Sequence, residues 1–382
     1  MNFPIFQVFS FNTPKQNPHH EELANPSRGR NATMRIRKAY RTFHRVGASL
    51  CLSPETRTLL VPKANAIFFC GDRVEGTGNP VIERLSNLQN LSEIIVSKFG
   101  SFTNAWVIEA SAFNGPFAVY KDFIPSVNQY GEPSSYHPNG FPASTSTVSL
   151  LSNCLEEVRS VLPTPLHYMV QIATFFYDYN YCASGSYWAK KVILGTQVDT
   201  KSGLSPSCSF SRSKTFILGF SKGGAVLNQI VTELGFSDIG SNANSPDVGQ
   251  LMGRKFAGSE EIYVVPKTKE DLLNSISEIH YVDVGLNSAG AYLTNHDVFE
   301  RISKRLMQGA SELRFILHGT PRQWSDKRRD WIRNEKDKML RLLESEAPKS
   351  GGKFKVLERF YFTDKPPSMQ MHFEIIESLD AS

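Results

Sequence analysis

Two spacings of apolar residues alternate along most of this chain. Short, nearly continuous apolar runs recur: AIFFC at 66–70, NAWVIEA at 104–110, KTFILGF at 214–220, EIHYVDVG at 278–285, LRFILHG at 313–319 and KFKVLERFYF at 353–362. Runs of this length, bounded by turn residues, predict strands buried on both faces. Between them the spacing becomes helical. In 81–99 the residues Leu85, Leu88, Leu91, Ile95 and Phe99 form one stripe, as an amphipathic helix requires. Further helices are predicted over 147–162, closed by Pro163, over 222–234, ended by Gly235, over 296–307, and over 326–344 with a basic outer face. Alternating strands and helices give an α/β fold, with a mostly parallel central sheet and helices on both of its faces.

Two stretches break the alternation. Residues 111–146 carry Pro, Asn, Gly and Ser and read as a long loop. Residues 163–213 begin apolar and become Ser-rich, as a lid-like insertion would. The expected organisation is a flexible basic segment over 1–45, followed by one domain over 46–382 that holds both insertions.

Composition narrows the picture. With 40% hydrophobic and 21% charged residues in 382, the chain is globular. It contains no apolar run of about 18 residues, so no membrane-spanning helix is expected. The richest apolar stretch, LHYMVQIATFFY, is interrupted by His167, Gln171 and Thr174. Five cysteines without a C-x-x-C pair make neither a disulfide framework nor a zinc site. A reducing compartment is expected, with no metal or cofactor.

The net charge of +5 is unevenly placed. Between Asn25 and Pro54 there is no acid, while Arg28, Arg30, Arg35, Arg37, Lys38, Arg41 and Arg45 carry more than the whole net charge. No basic face spans the protein, so nucleic acid is not an expected partner. The stretch from Met34 has the Arg-rich, acid-free composition of a mitochondrial transit peptide, although Glu21 and Glu22 lie upstream. A basic first strand or hairpin of the folded domain accounts for the same residues. Residues 28–45 could also give peripheral contact with an anionic membrane surface.

The candidate chemistry lies in FILGFSKGGAVLNQIV. It contains G-x-S-x-G as Gly219, Phe220, Ser221, Lys222 and Gly223. The motif alone is weak, but an apolar strand precedes it and an amphipathic helix follows at once. That setting is what a nucleophile elbow needs: a sharp turn lifts the serine hydroxyl above the sheet, and the glycines let strand and helix approach. The amide of Lys222 is then one candidate oxyanion donor, with the helix N-terminus favouring negative charge. A second would come from the loop after AIFFC, from Gly71 or Asp72.

A serine nucleophile needs a base and an acid that orients it, and in this fold they follow the serine in the order acid, then histidine. Of the histidines after Ser221 (His280, His296, His318 and His372), only His372 follows the last strand, in what reads as the loop TDKPPSMQMHF. Asp283 ends the strand after the elbow helix and is the candidate acid. Asp326, beyond the next strand, is the alternative acid, although it also reads as a helix N-cap.

These segments together resemble the animal mitochondrial serine-esterase-like family of the human chromosome 2 open reading frame sixty-nine protein. The likeness runs through FFCGD at 68–72, LGFSKGGAVLNQIVTEL at 218–234, HYVDVG at 280–285, the TP of HGTPRQWSD at 318–326, and FTDKPPSMQMHF at 362–373. It implies an α/β-hydrolase-like fold, a mitochondrial association in place of a cytoplasmic one, Ser221 as nucleophile, and Asp283 and His372 in matching positions. The chain departs from the family pattern in VDVGLNSAG, after the aspartate, and in having Gly224 where cysteine is expected. The expected function is a serine hydrolase acting on an ester or thioester of a small acyl or lipid-like substrate. A catalytically inactive binding or scaffold protein of the same fold is the competing reading.

Overall fold

A computed structural model describes residues 5–14, 43–74, 76–162, 213–238 and 263–381. The expected lid-like insertion, but for Ser213, and most of the basic segment lie outside the described residues. Numbered among the described elements, the strands are β1 (Ile5–Pro14), β2 (Phe43–Leu52), β3 (Ala64–Phe69), β4 (Thr103–Ile108), β5 (Ala112–Asn114), β6 (Phe117–Val119), β7 (Lys214–Phe220), β8 (Ile276–Val282), β9 (Leu313–Gly319) and β10 (Phe354–Phe360). The α-helices are α1 (Pro80–Leu85), α2 (Leu88–Phe99), α3 (Pro142–Val161), α4 (Gly224–Phe236), α5 (Lys269–Ser275), α6 (His296–Met307), α7 (Pro321–Trp324), α8 (Asp330–Glu346) and α9 (Met369–Ser378).

Eight strands form one sheet in the order β1-β2-β4-β3-β7-β8-β9-β10. From β4 to β10 every neighbouring pair is parallel, while β2 runs antiparallel to both β1 and β4. With the separate β5–β6 hairpin set aside, this is the strand order of an α/β-hydrolase. The central strands β3 and β4 are buried on both sides, and their successive residues feed two different cores. Ile67 and Phe69 of β3, with Trp106 and Ile108 of β4, pack under α3, α4, α6 and α8. Ala66, Phe68, Ala105 and Val107 pack under α1, α2 and α9 on the other face. Burying each large side chain stabilises the fold by roughly 1.5–3 kcal/mol, which is why these runs carry no alternating polar residues. The run at 353–362 does not follow its expectation, because β10 is an edge strand and buries only Phe354 fully.

Three expectations change. The helix expected over 81–99 is two helices, because the Asn87 side chain accepts from the amides of Gln89 and Asn90 and starts a new one. Leu85 and Leu88 stay buried on either side of the break, so the stripe does not reveal it. The long loop at 111–146 holds the β5–β6 hairpin and the first turn of α3. The domain begins before residue 46, since β2 starts at Phe43 and pairs over its whole length with β1. Ile5–Pro14 is therefore a strand within the segment expected to be flexible, and of the basic stretch from Met34 the described part, Phe43–Leu52, is its strand partner.

Candidate active site

Strand β7 ends at Phe220, and the chain turns through Ser221–Gly223 directly into α4. Ser221 has a backbone φ of +52°, a region that costs a non-glycine residue energy and persists only where its surroundings enforce it. Gly223 is part of that enforcement. A Cβ there would stand 2.2 Å from the carbonyl oxygen of Phe69, so only glycine lets α4 start this close to β3. Gly71 comes closest to the serine itself. A Cβ on Gly71 would lie 2.6 Å from Ser221 Cβ and 3.1 Å from its Oγ. The main chain after β3 thus runs alongside the hydroxyl.

Asp283 follows β8 and is fully buried, with a φ of +44°. Its carboxylate has three partners. Thr320 donates its amide to Oδ1 at 2.7 Å and its hydroxyl to Oδ2 at 3.0 Å, and His372 Nδ1 lies 2.6 Å from Oδ2. Thr320 follows β9, the strand that also precedes the alternative acid Asp326. That position supplies a residue that holds Asp283 instead of a carboxylate of its own.

The structure places Asp326 elsewhere. Its side chain caps a short turn by accepting from the Arg328 amide, and it pairs with the guanidinium groups of Arg328 and Arg329. Those contacts with Arg328 hold its carboxyl down at about 2. The carboxylate that meets His372 is Asp283 and not Asp326.

His372 is 6% exposed and sits on α9, not in the loop expected for TDKPPSMQMHF. Ser368 caps that helix by accepting from the Met371 amide. The imidazole lies against Phe220, the residue before Ser221, with ring centroids 4.6 Å apart, and Phe373 packs on both. No hydrogen bond joins Ser221 to His372 among the described residues. The other histidines after Ser221 are engaged away from it. His280 and His318 bond to each other, and His296 pairs with Glu346.

Asp72 and Lys222, candidate oxyanion donors through their amides, also meet through their side chains. The Lys222 ammonium is buried 3.2 Å from Asp72 Oδ1 and 3.3 Å from Glu132 Oε1, donates to the Tyr130 carbonyl at 2.8 Å, and lies under the Phe117 ring. Burial pushes the Asp72 carboxyl up, and the facing Lys222 charge opposes that rise. Neither Thr320 nor the lysine's ionic contacts could be read from the sequence, since each links segments far apart in it.

With this geometry in hand, the comparisons bear on identity. The sequence profile of the C2orf69 family matches residues 67–347. The chain belongs to the C2orf69 family. The Mitochondrial protein C2orf69 homolog of Mus musculus is 23% identical over 296 residues, spanning 76% of this chain and 69% of that protein. Among solved structures, an S-formylglutathione hydrolase from Agrobacterium tumefaciens gives a TM-score of 0.36 at 9% identity, over 98% of this chain and 92% of that one. The siderophore hydrolase EstA from Aspergillus nidulans gives 0.37 at 10% identity, over 98% and 95%. At such scores the fold assignment rests on this chain's own strand order.

Both departures from the family pattern fall at one contact. A Cβ on Gly224 would come within 2.4 Å of both methyl groups of Val284, the residue after Asp283. A larger residue at 224 would have to push Val284 aside.

Proposed function

We propose that this protein is a serine hydrolase acting on an ester or thioester bond. The observation that carries the reading is the bond between His372 and buried Asp283, made beside the strained Ser221 turn. In the proposed reaction Ser221 Oγ attacks the substrate carbonyl. His372 Nε2 takes the hydroxyl proton and returns it to the leaving group. Asp283 holds Nδ1–H, fixing the tautomer and stabilising the imidazolium. The amides of Lys222 and of Gly71 or Asp72 would receive the oxyanion, a role supported by the close approach of Gly71 to the serine. In this reading the serine–histidine hydrogen bond forms only in the substrate complex, as catalytic hydrogen bonds of ligand-free enzymes often do. An acyl or lipid-like substrate fits this chemistry.

The mouse relative's name supports a mitochondrial association for this chain as well. The test is import. A fusion of the full chain to a fluorescent protein should collect in mitochondria, and a uniformly cytosolic signal would contradict the assignment. The test of the chemistry is whether the folded protein turns over acyl p-nitrophenyl esters or acyl thioesters, and whether Ser221→Ala stops it. Folded protein that is inert to every acyl ester and to active-site phosphonates would favour a binding protein on the same scaffold.

A further inference from the structure

Lys222 carries a charge that the proposed reaction does not use. Its side chain is 2% exposed, and a buried ammonium is expensive unless fully paired. Every contact of that ammonium leads to a different part of the site. Asp72 stands next to Gly71, the residue against Ser221, and its Oδ1 also accepts from the amide of Ala118 in β6. Glu132 accepts from the amides of Asn287 and Ser288 and from the Ser288 hydroxyl, in the loop that follows Asp283. Tyr130 belongs to the segment between them, where a Cβ on Gly131 would meet Lys222 Cδ at 3.2 Å. The hairpin closes the circuit, because the Arg73 amide donates to the Pro116 carbonyl at 2.8 Å.

We propose that the Lys222 ammonium is a positioning residue for the hydrolysis proposed above. It draws the 71–72 main chain, through Asp72, onto the turn that carries Ser221, and anchors the loop beyond Asp283 through Glu132. The inference rests on the serine-hydrolase reading. The physical reason for one shared cation is repulsion. Without it, the half-buried Asp72 and the buried Glu132 would face each other as like charges, and the loops bearing them would separate. A shift of about 1 Å in an oxyanion donor is enough to cost on the order of 10²-fold in rate.

The test is the kinetics of a fluorophosphonate probe on the full chain, with its two parameters kept apart. The amplitude of labelling reports how much protein is folded and competent. The rate constant at saturating probe reports the geometry around Ser221. Lys222→Met should lower the rate constant by about 10²-fold while the molecules that stay folded still label to completion. Asp72→Asn keeps an oxygen for the Ala118 amide but loses the charge that Lys222 attracts. It should slow labelling by about tenfold with little change in melting temperature, and it remains informative if Lys222→Met fails to fold. A full rate constant in Asp72→Asn, or in Lys222→Met with only its amplitude reduced, would overturn the inference and leave the hydrolase reading standing. Folded wild type that never labels would overturn the hydrolase reading and this inference with it.

Discussion

Asp283→Asn is the narrowest substitution at the residue scale. The amide would keep the volume and one acceptor, but its NH2 group would face either Thr320 or His372, both of which donate to the carboxylate now. The histidine would be held in the wrong tautomer, and turnover of an ester substrate should fall by about 10⁴-fold. Activity within about threefold of wild type would show that the buried carboxylate does not serve His372. Gly71→Ala addresses the other side of the serine. Its methyl would overlap Ser221, so labelling should be lost even where circular dichroism shows a native fold. Ser221, Asp283 and His372 could be picked out from chain order, because a strand-turn-helix motif and the ends of later strands are local signals. Thr320 could not, because its importance lies in a contact 37 residues distant. Nor could the Lys222 ammonium, since a lysine after the nucleophile reads as a solvated side chain until the loops that bury it are known.

Individual elements show why periodicity succeeds and where it stops. The strands at 214–220 and 313–319 and the helix at 296–307 have the boundaries expected from their apolar runs. Helix α9 lies in the stretch TDKPPSMQMHF that reads as a loop, yet Ser368, after its two prolines, is an N-cap signal. Helix α3 opens on Pro142, a local start signal, but what caps it is not local. Its cap residue Phe141 offers no side-chain acceptor, and the buried Glu233 of α4 accepts from the amides of Ala143 and Ser144 instead. Glu233→Ala would leave two buried amides unpaired and should cost about 2–4 kcal/mol in urea unfolding. A loss below about 0.5 kcal/mol would mean the helix finds other acceptors.

At the scale of the whole molecule, the sheet binds its C-terminal tail through a buried relay. His280 Nε2 meets Glu278, His280 Nδ1 meets His318 Nε2, His318 Nδ1 meets the Tyr361 hydroxyl, and that hydroxyl accepts from the Asp380 amide. With both rings neutral, every hydrogen in this chain has an acceptor. A proton added to His280 places its Nδ1–H against the Nε2–H of His318, and one added to His318 takes away the acceptor of the Tyr361 hydroxyl hydrogen. Burial lowers the pKa of both rings, and the nearby Arg359 adds to this, while Glu278 pulls the other way on His280 alone. The unfolded chain therefore binds more protons than the folded one as pH falls below about 6.5, and stability should decline through that range. Melting temperature should drop more steeply between pH of about 7 and 5.5 in wild type than in His318→Gln. Equal slopes would exclude the relay as the cause.

That the strands run parallel is legible in the sequence, because strand and helix alternate, but their order in the sheet is not. Nor is the pairing of Ile5–Pro14 with Phe43–Leu52. The two segments are separated by a long polar stretch, and antiparallel pairing at that distance leaves no local mark. The three candidate residues lie at the ends of β7 and β8 and beyond β10, which is the arrangement on which the proposed chemistry depends.

The most direct measurement of that chemistry is fluorophosphonate labelling of the folded full chain beside Ser221→Ala. The account predicts covalent labelling of wild type at Ser221 and none in the variant. Equal labelling of the two, or none in folded wild type, would contradict it.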